Sequence, residues 1–219
     1  ADDDVFELSW LYSAPTGLEF TRSEVTVDQF IDCVNAGVCV YNGSSSSECN
    51  YGDSSRGTHP LNCAAPAEGA DFCAWVGGRL PTPDEWYAEA SDNGTRIYPW
   101  GDSPQPSCDY CVMNDSGAGG SGCGQGGTNP VCSKPLGNSV SGLCDMVGNL
   151  WEATSSGNII RGGGYGVADP ANLQASTSHN DASPRSVDNG FRCVRDLDAG
   201  DDDDTGDDDD DTGDDDDTG

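Results

Sequence analysis

The run Gly142-Leu-Cys-Asp-Met-Val-Gly-Asn-Leu-Trp-Glu152 decides how this chain folds. It is read together with two further runs, Arg79-Leu-Pro-Thr-Pro-Asp-Glu-Trp86 before it and Asn189-Gly-Phe-Arg-Cys-Val194 after it. Two shorter pieces complete the set, Tyr98-Pro-Trp-Gly-Asp102 and Arg161-Gly-Gly-Gly-Tyr165. Several separate motifs in a fixed order are specific for a fold, whereas they say little about an activity.

Length and charge predict one acidic domain followed by a tail. Residues 1–196 are numerous enough to form a single core, and residues 197–219 change to a composition of Asp, Thr and Gly. The net charge is −30, and thirteen aspartates lie in residues 201–219, so the rest of the chain still carries −17. This sign argues against nucleic acid as a partner and favours divalent cations.

Eleven cysteines predict a disulfide framework and an oxidising compartment. The Cys108-Asp-Tyr-Cys111 spacing could suit zinc or redox chemistry, but no second such pair follows, so disulfide partners plus one spare thiol are favoured. No apolar run is long enough to span a bilayer, and Ala1 before three aspartates is typical of a mature end left by signal cleavage. We therefore expect a secreted or surface-exposed protein without membrane insertion.

The local patterns predict an α+β class with a few short helices, a small and mostly antiparallel sheet, and much coil. Thr26 followed by Gln29 is a capping box that opens a helix, which Gly37 would end. Two more helices are expected, one from Pro66 to the Gly77-Gly78 pair and one from Thr82 to about Ala90. Strands are expected at 20–27, 159–161 and 191–194, and disulfide-tied loops at 39–58 and 98–143.

The tail repeats three blocks of aspartate, each closed by Thr-Gly. Such low-complexity sequence cannot bury a core, and its charges repel one another. We expect it to adopt one conformation only through bound cations, through a neighbouring subunit, or through glycans on Thr205, Thr212 and Thr218. The alternative is a solvated linker.

The motifs quoted above resemble the formylglycine-generating-enzyme, or sulfatase-modifying factor, family, whose members carry a variant of the C-type lectin fold. The resemblance covers most of residues 20–195. Enzymes of that family oxidise a substrate cysteine with copper held by two cysteine thiolates. The corresponding positions here are Val167 and Asn172, and Gly164 replaces the serine of the Gly-Gly-Ser motif. The resemblance therefore implies the fold, whereas neither copper nor oxidase activity is expected.

Calcium is the cofactor that the resemblance implies. Family members bind it around the Gly-Asn-x-Trp-Glu motif, which places the ligands at Asn149 and Glu152. A second family site follows the Pro-Trp-Gly-Asp motif, with Asp109 as the candidate ligand. Asp115 is a further candidate there, although turn formation through an Asx hydrogen bond is the favoured role for it.

The resemblance also implies one long-range disulfide, between Cys73 and Cys193. The remaining nine cysteines are odd in number. At least one is therefore unpaired or joined to another chain, and Cys111 is the candidate.

The tract 166–189 corresponds to the exposed binding face of relatives whose C-terminal region is diversified for ligand display. Tyr165, Asn172, His179 and Asn180 are the candidate ligand-binding residues. The tract could equally be a solvated loop that closes the fold. A triad of His179, Asp181 and a nearby serine is less well supported than a surface histidine.

The function expected from these features is a non-catalytic extracellular structural or binding module. It would assemble with itself into a surface array or fibre, with calcium support. One alternative is a formylglycine-type copper oxidase with displaced ligands. Another is a monomeric receptor that binds a glycan or protein through the 166–189 face.

Overall fold

The computed structural model describes residues 8–43, 46–181 and 185–197. The acidic repeats and their three threonines lie outside this part of the chain, so the expectations for the tail stay predictions. Within the described residues, no helix has both the length and the apolar character needed to cross a membrane. The described residues form seven short strands and three α-helices.

Three helices lie in the first half of the chain: α1 (Val27–Asn35), α2 (Pro66–Trp75) and α3 (Pro83–Ser91). Helix α1 begins with the expected capping box, in which Thr26 N–H donates to Gln29 Oε1 at 2.9 Å and Gln29 N–H donates to Thr26 Oγ1 at 3.3 Å. Helix α3 repeats this arrangement with Thr82 and Glu85. The caps fix where the helices start, and the sequence predicted both starts.

Seven strands form two small sheets. In chain order they are β1 (Trp10–Ser13), β2 (Leu18–Thr21), β3 (Trp151–Ala153), β4 (Ile159–Arg161), β5 (Ser178–Asn180), β6 (Asn189–Gly190) and β7 (Val194–Arg195). The first sheet has the order β1-β2-β7 and is antiparallel. The second has the order β5-β4-β3-β6, in which β3 and β6 are parallel and the other pairs antiparallel. The C-terminal segment therefore contributes to both sheets.

Two of the three expected strands are placed differently. The strand expected over 20–27 is β2, which ends at Thr21 because the chain then turns: Thr21 Oγ1 donates to the Ser23 carbonyl at 2.9 Å. The expected strand over 191–194 is not continuous: β6 ends before residue 191 and β7 begins only at Val194, because β6 and β7 belong to different sheets. The strand at 159–161 is confirmed, and between 98 and 143 the chain forms only three short 3₁₀ turns.

The main core lies between α1, α2 and the C-terminal segment. Phe30, Phe72 and Phe191 pack with ring centroids 5.9–6.0 Å apart, and each is at most 2% exposed. A second cluster surrounds Trp86 and Met146, which are fully buried. Burying a side chain of this size stabilises a fold by roughly 1.5–3 kcal/mol, so these clusters hold the short elements together.

Five disulfides supplement this core: Cys33–Cys39, Cys49–Cys63, Cys73–Cys193, Cys108–Cys123 and Cys132–Cys144. The bond between Cys73 and Cys193 is the one that the family resemblance implies. It closes the longest loop, with a sequence separation of 120, and joins α2 to the C-terminal segment. The expected spare thiol is Cys111, the one free cysteine in the described ranges, and it is buried.

Candidate functional site

The Gly142–Glu152 run passes through the centre of the molecule and ends in a buried ion pair. Strand β3 turns Glu152 inward, where its two carboxylate oxygens each accept a hydrogen bond of 2.6 Å from Nε and Nη2 of Arg192. Trp86 Nε1 donates to the same carboxylate at 2.8 Å. All three side chains are fully buried. This contact ties α3, β3 and the C-terminal segment together.

Asn149 and Glu24 form the second part of this centre. Asn149 Nδ2 donates to one oxygen of Glu24 at 2.8 Å, and the Leu150 N–H donates to the other at 2.9 Å. Asn149 adopts a left-handed conformation with φ 61°, which asparagine tolerates better than most residues. Its Oδ1 accepts from the Asn129 N–H at 3.0 Å. The side chain thereby joins residues far apart in sequence.

Burial raises the pKa of two carboxyl groups in this centre. The pKa of Glu24 lies well above its ordinary value, first because of desolvation and then because of the charges of Asp145 and Glu152. Desolvation also raises the pKa of Asp145 to about 6, although the Cys132 N–H donates to that carboxylate and lowers it. The buried guanidinium of Arg192 thus faces three acidic side chains, those of Glu24, Asp145 and Glu152. Because one positive charge cannot balance three carboxylates, this arrangement favours a protonated carboxyl.

The expected calcium ligands are not gathered into one site by these contacts. Glu152 pairs with Arg192, whereas the sequence predicted that it would bind a metal ion. Asn149 is engaged by Glu24 and Asn129, and Asp109 is exposed, with its N–H donating to Ser107 Oγ. Among the described residues, no group of three or more His, Cys, Asp or Glu side chains could hold a metal ion. Calcium binding at these positions stays a prediction.

Asp115 has the turn role favoured for it. Its Oδ1 accepts from the Gly117 N–H at 2.8 Å, which caps the 3₁₀ turn Ser116–Ala118. This is an Asx hydrogen bond of the expected kind.

The two positions that correspond to the copper-binding cysteines lie next to a buried cluster, one by packing and the other by its place in the chain. Val167 packs against the cluster formed by Cys111, Met113, Val147 and Leu173, and Asn172 is exposed on the 3₁₀ turn Pro170–Leu173. Cys111 thus offers a thiol in this region. Burial raises its pKa to about 12, with Asp145 adding to the effect. A thiol with such a pKa is a poor source of thiolate.

A copper site built from two thiolates does not fit the donors in this part of the structure. Ten of the eleven cysteines are joined in disulfides, which leaves one thiol where the family chemistry needs two. The remaining thiol is buried and has no second sulfur ligand. Displaced cysteine ligands would therefore require a disulfide to be reduced first.

The other candidate ligand-binding residues lie on the surface around β3–β5. His179 is exposed on β5, as expected for a surface histidine, and its ring lies 5.6 Å from that of Trp151. Asn180 is also exposed, and its Oδ1 accepts from Asn158 Nδ2 at 3.1 Å. Tyr165 is half-buried, and its N–H donates to the Asn149 carbonyl at 2.8 Å. The described part of the tract therefore presents polar groups at the surface.

Sequence reasoning missed three participants in the centre. The sequence placed Glu24 in a strand, Trp86 in the core and Arg192 in a motif, without indicating a contact between them. In the structure these three side chains surround Asn149 and Glu152. The Gly-Phe-Arg-Cys motif did contain the signal: a lone arginine between apolar residues and a cysteine requires a buried acidic partner.

The chain is similar to known proteins along most of its length. The model of the family described as "Sulfatase-modifying factor enzyme 1-like domain" matches residues 14–197. The chain is 35% identical over 138 residues to the inactive C-alpha-formylglycine-generating enzyme 2 of Bos taurus, covering 56% of this chain and 46% of that protein. It is 34% identical over 107 residues to the formylglycine-generating enzyme of Mycobacterium tuberculosis, covering 46% and 34%. It thus spans less than half the length of either curated relative.

Solved structures show the same fold. The structure of PvdO from Pseudomonas aeruginosa superposes with a TM-score of 0.65 at 20% identity, covering 90% of this chain and 89% of that one. Identity at this level supports the fold alone. The C-type-lectin-like architecture, with its small sheets and disulfide-tied loops, is therefore shared.

Proposed function

Since the chain belongs to the family of sulfatase-modifying factor enzyme 1-like domains, we propose that it is a non-catalytic extracellular binding or structural module. The observation that carries the proposal is the state of the cysteines. Ten form disulfides and the eleventh is buried, while valine and asparagine occupy the copper-ligand positions. The relatives include both an inactive protein and an active enzyme, so the family alone leaves either function open.

Thiol counting and copper binding test this proposal. The native protein should show no thiol reactive toward Ellman's reagent, and the denatured protein should show one. The native protein should also fail to retain Cu(I) against a bicinchoninate competitor, with the formylglycine-generating enzyme of Mycobacterium tuberculosis as the positive control. Retention of Cu(I) by the native chain, lost on alkylation, would support the copper oxidase with displaced ligands and overturn the proposal.

The module would act outside the cell or in the secretory pathway. The chain has five disulfides, and disulfides form and persist mainly in oxidising surroundings. The exposed groups of His179 and Asn180 would contribute to a polar contact surface. A receptor acting as a monomer would use this surface for a glycan or protein ligand.

Self-assembly with calcium support is the more specific form of the proposal. Its support is the excess of acidic residues, which leaves −17 on the chain even without the thirteen tail aspartates. Divalent cations can bridge such surfaces between copies, and contacts that do not close would give a fibre. Sedimentation velocity in calcium and in chelator distinguishes a self-assembling module from a monomeric receptor. A single monomeric species in both conditions would favour the receptor.

A further inference from the structure

A polar cavity of about 370 Å³ lies away from the 166–189 tract, between residues 55–59 and 125–133. Arg56, His59, Thr128, Asn129 and Ser133 are among the residues that line it. Sites for small molecules have volumes of roughly 300–1,000 Å³ and carry a few converging polar groups. The cavity therefore has the size and the lining of a site for one small polar ligand.

The side chains that line this cavity are held by a buried asparagine. Asn50 is fully buried, and its Oδ1 accepts from Arg56 Nη1 at 2.7 Å. Its Nδ2 donates to Thr128 Oγ1 at 3.0 Å, and Thr128 Oγ1 lies 2.9 Å from His59 Nδ1. One amide thus orients a guanidinium on one side and an imidazole on the other. A site of this kind is preorganised, which lowers the entropy lost on binding.

The hydrogen bond between Thr128 and His59 can run in either direction. Thr128 Oγ1 accepts from Asn50, but a hydroxyl has a second lone pair, so it can donate to His59 Nδ1 or accept from it. Burial and the neighbouring charge of Arg56 lower the pKa of His59, which favours the neutral form. A neutral imidazole has one donor and one acceptor nitrogen, and either kind can bond to a hydroxyl.

Asn129 adds an unsatisfied acceptor to the lining. Its Oδ1 is shielded from solvent and has no hydrogen-bond partner within the described ranges. The backbone of Asn129 is fixed on both sides by Asn149, which accepts from its N–H and donates to its carbonyl. A buried oxygen without a donor costs about 1–3 kcal/mol. Because this oxygen is shielded from solvent, a ligand hydroxyl would remove that cost only after the Asn129 side chain turns it into the cavity.

Arg56 gives the cavity its charge preference. It lines both this cavity and an adjoining one of about 120 Å³ that also contains Glu48 and Tyr165. Its one ionic partner is Asp53, at 3.5 Å on the exposed side, and its Nη2 has no hydrogen-bond partner among the described residues. A guanidinium binds a planar carboxylate through two parallel hydrogen bonds.

A single cation beside a neutral histidine suits a monoanion better than a phosphate. A phosphate monoester carries about −1.5 to −2 at neutral pH, and the net charge of this chain is already −30. We propose that the cavity beside Arg56 and His59 binds a sugar acid: the carboxylate pairs with Arg56, and ring hydroxyls bond to the imidazole of His59 and, once its side chain has turned, to Asn129 Oδ1. The inference does not depend on the 166–189 face and needs no calcium.

Isothermal titration of the full chain with D-glucuronate, in chelator, tests the proposal. We expect saturable binding of D-glucuronate, at least about tenfold weaker binding of D-glucose, and at least about a tenfold loss for Arg56→Gln. Arg96→Gln is the matched control, because Arg96 has 32% side-chain exposure and an ion pair of 3.4 Å with Asp92, against 30% and 3.5 Å for Arg56. This control should bind as the wild type does.

A second variant keeps the test decisive if Arg56→Gln fails to fold. Ser133 lies exposed at the cavity and outside the network around Asn50, so Ser133→Trp should fill the space, leave the fold intact and abolish binding. A glucuronate-containing tetrasaccharide that binds more tightly than the monosaccharide would identify a glycan as the source; equal affinity would identify a free sugar acid. Three outcomes would overturn the proposal. They are no binding of either D-glucuronate or the tetrasaccharide, unchanged binding by Arg56→Gln, and binding of inorganic phosphate as tight as that of D-glucuronate.

Discussion

Glu152 and Arg192 form a bidentate ion pair of 2.6 Å with both side chains fully shielded from solvent. The two residues come from separate motifs, and they face each other across the junction of the two sheets. Removing one partner of a buried pair leaves an uncompensated charge, which is far more costly than losing a surface pair.

Glu152→Gln should therefore lower the free energy of unfolding by about 3–5 kcal/mol in urea denaturation. The matched control is Arg79→Gln, because Arg79 and Glu85 also form a bidentate pair, at 2.7 Å, but in an exposed position. That control should cost less than about 1 kcal/mol. We expect the Glu152→Gln loss in calcium and in chelator alike, because both carboxylate oxygens of Glu152 accept from Arg192. A loss confined to calcium would instead make Glu152 a calcium ligand.

Asp145→Asn should stabilise the protein near neutral pH and lose this advantage as the pH falls. Asp145 has a folded pKa of about 6, raised from 3.8 by burial. The proton is thus held more tightly in the folded state, so this contribution to stability is present in acid and is lost as the pH rises through about 6. A shift of this size corresponds to roughly 3 kcal/mol, which the neutral amide would recover at about pH 7.

The difference in free energy of unfolding between Asp145→Asn and wild type, measured from about pH 4 to about pH 7, checks this prediction. Asn is also compatible with the left-handed backbone at this position, where φ is 54°. Asp109→Asn is the control, because Asp109 is exposed. A pH-independent difference would show that Asp145 ionises normally in the folded protein.

Replacing Cys73 and Cys193 together with alanine should cost about 4–5 kcal/mol, because the disulfide closes a loop with a separation of 120. The comparison is the double replacement of Cys33 and Cys39, which are also buried but have a separation of 6. The same entropy model gives roughly 2 kcal/mol for that pair. Thermal unfolding of both variants measures the ratio. Equal losses would mean that local packing, and not loop closure, sets the contribution.

Deleting residues 201–219 should leave the body folded and weaken any assembly of the chain. The core and the disulfides lie within the described residues up to 197, and the deletion removes thirteen aspartates that cations could bridge. Sedimentation velocity of both forms, each with and without chelator, measures the effect. If the shortened chain assembles as well as the full one, and chelation changes neither, the tail is a solvated extension.

Much of the fold could be predicted from local signals. The capping boxes at Thr26 and Thr82 fixed two helix starts because their hydrogen bonds join residues only three positions apart. The bounds of β2 and β7 were less predictable. These two strands pair with each other although more than a hundred residues separate them, and nothing in a four-residue window records that partner.

The sequence by itself determined the family, the α+β class, the excess of acidic charge and the absence of cysteine at the copper-ligand positions. These follow from residue identity and order, which no folding can change. The tertiary structure alone decided what the polar side chains contact. It paired Glu152 with Arg192 and left Cys111 buried without a disulfide partner. It also placed Arg56 and His59 at one cavity, where Asn50 contacts Arg56 directly and His59 through Thr128. The physical reason is that burial and hydrogen bonding depend on groups far apart in the chain, so the chemistry of a side chain is set by its neighbours in space.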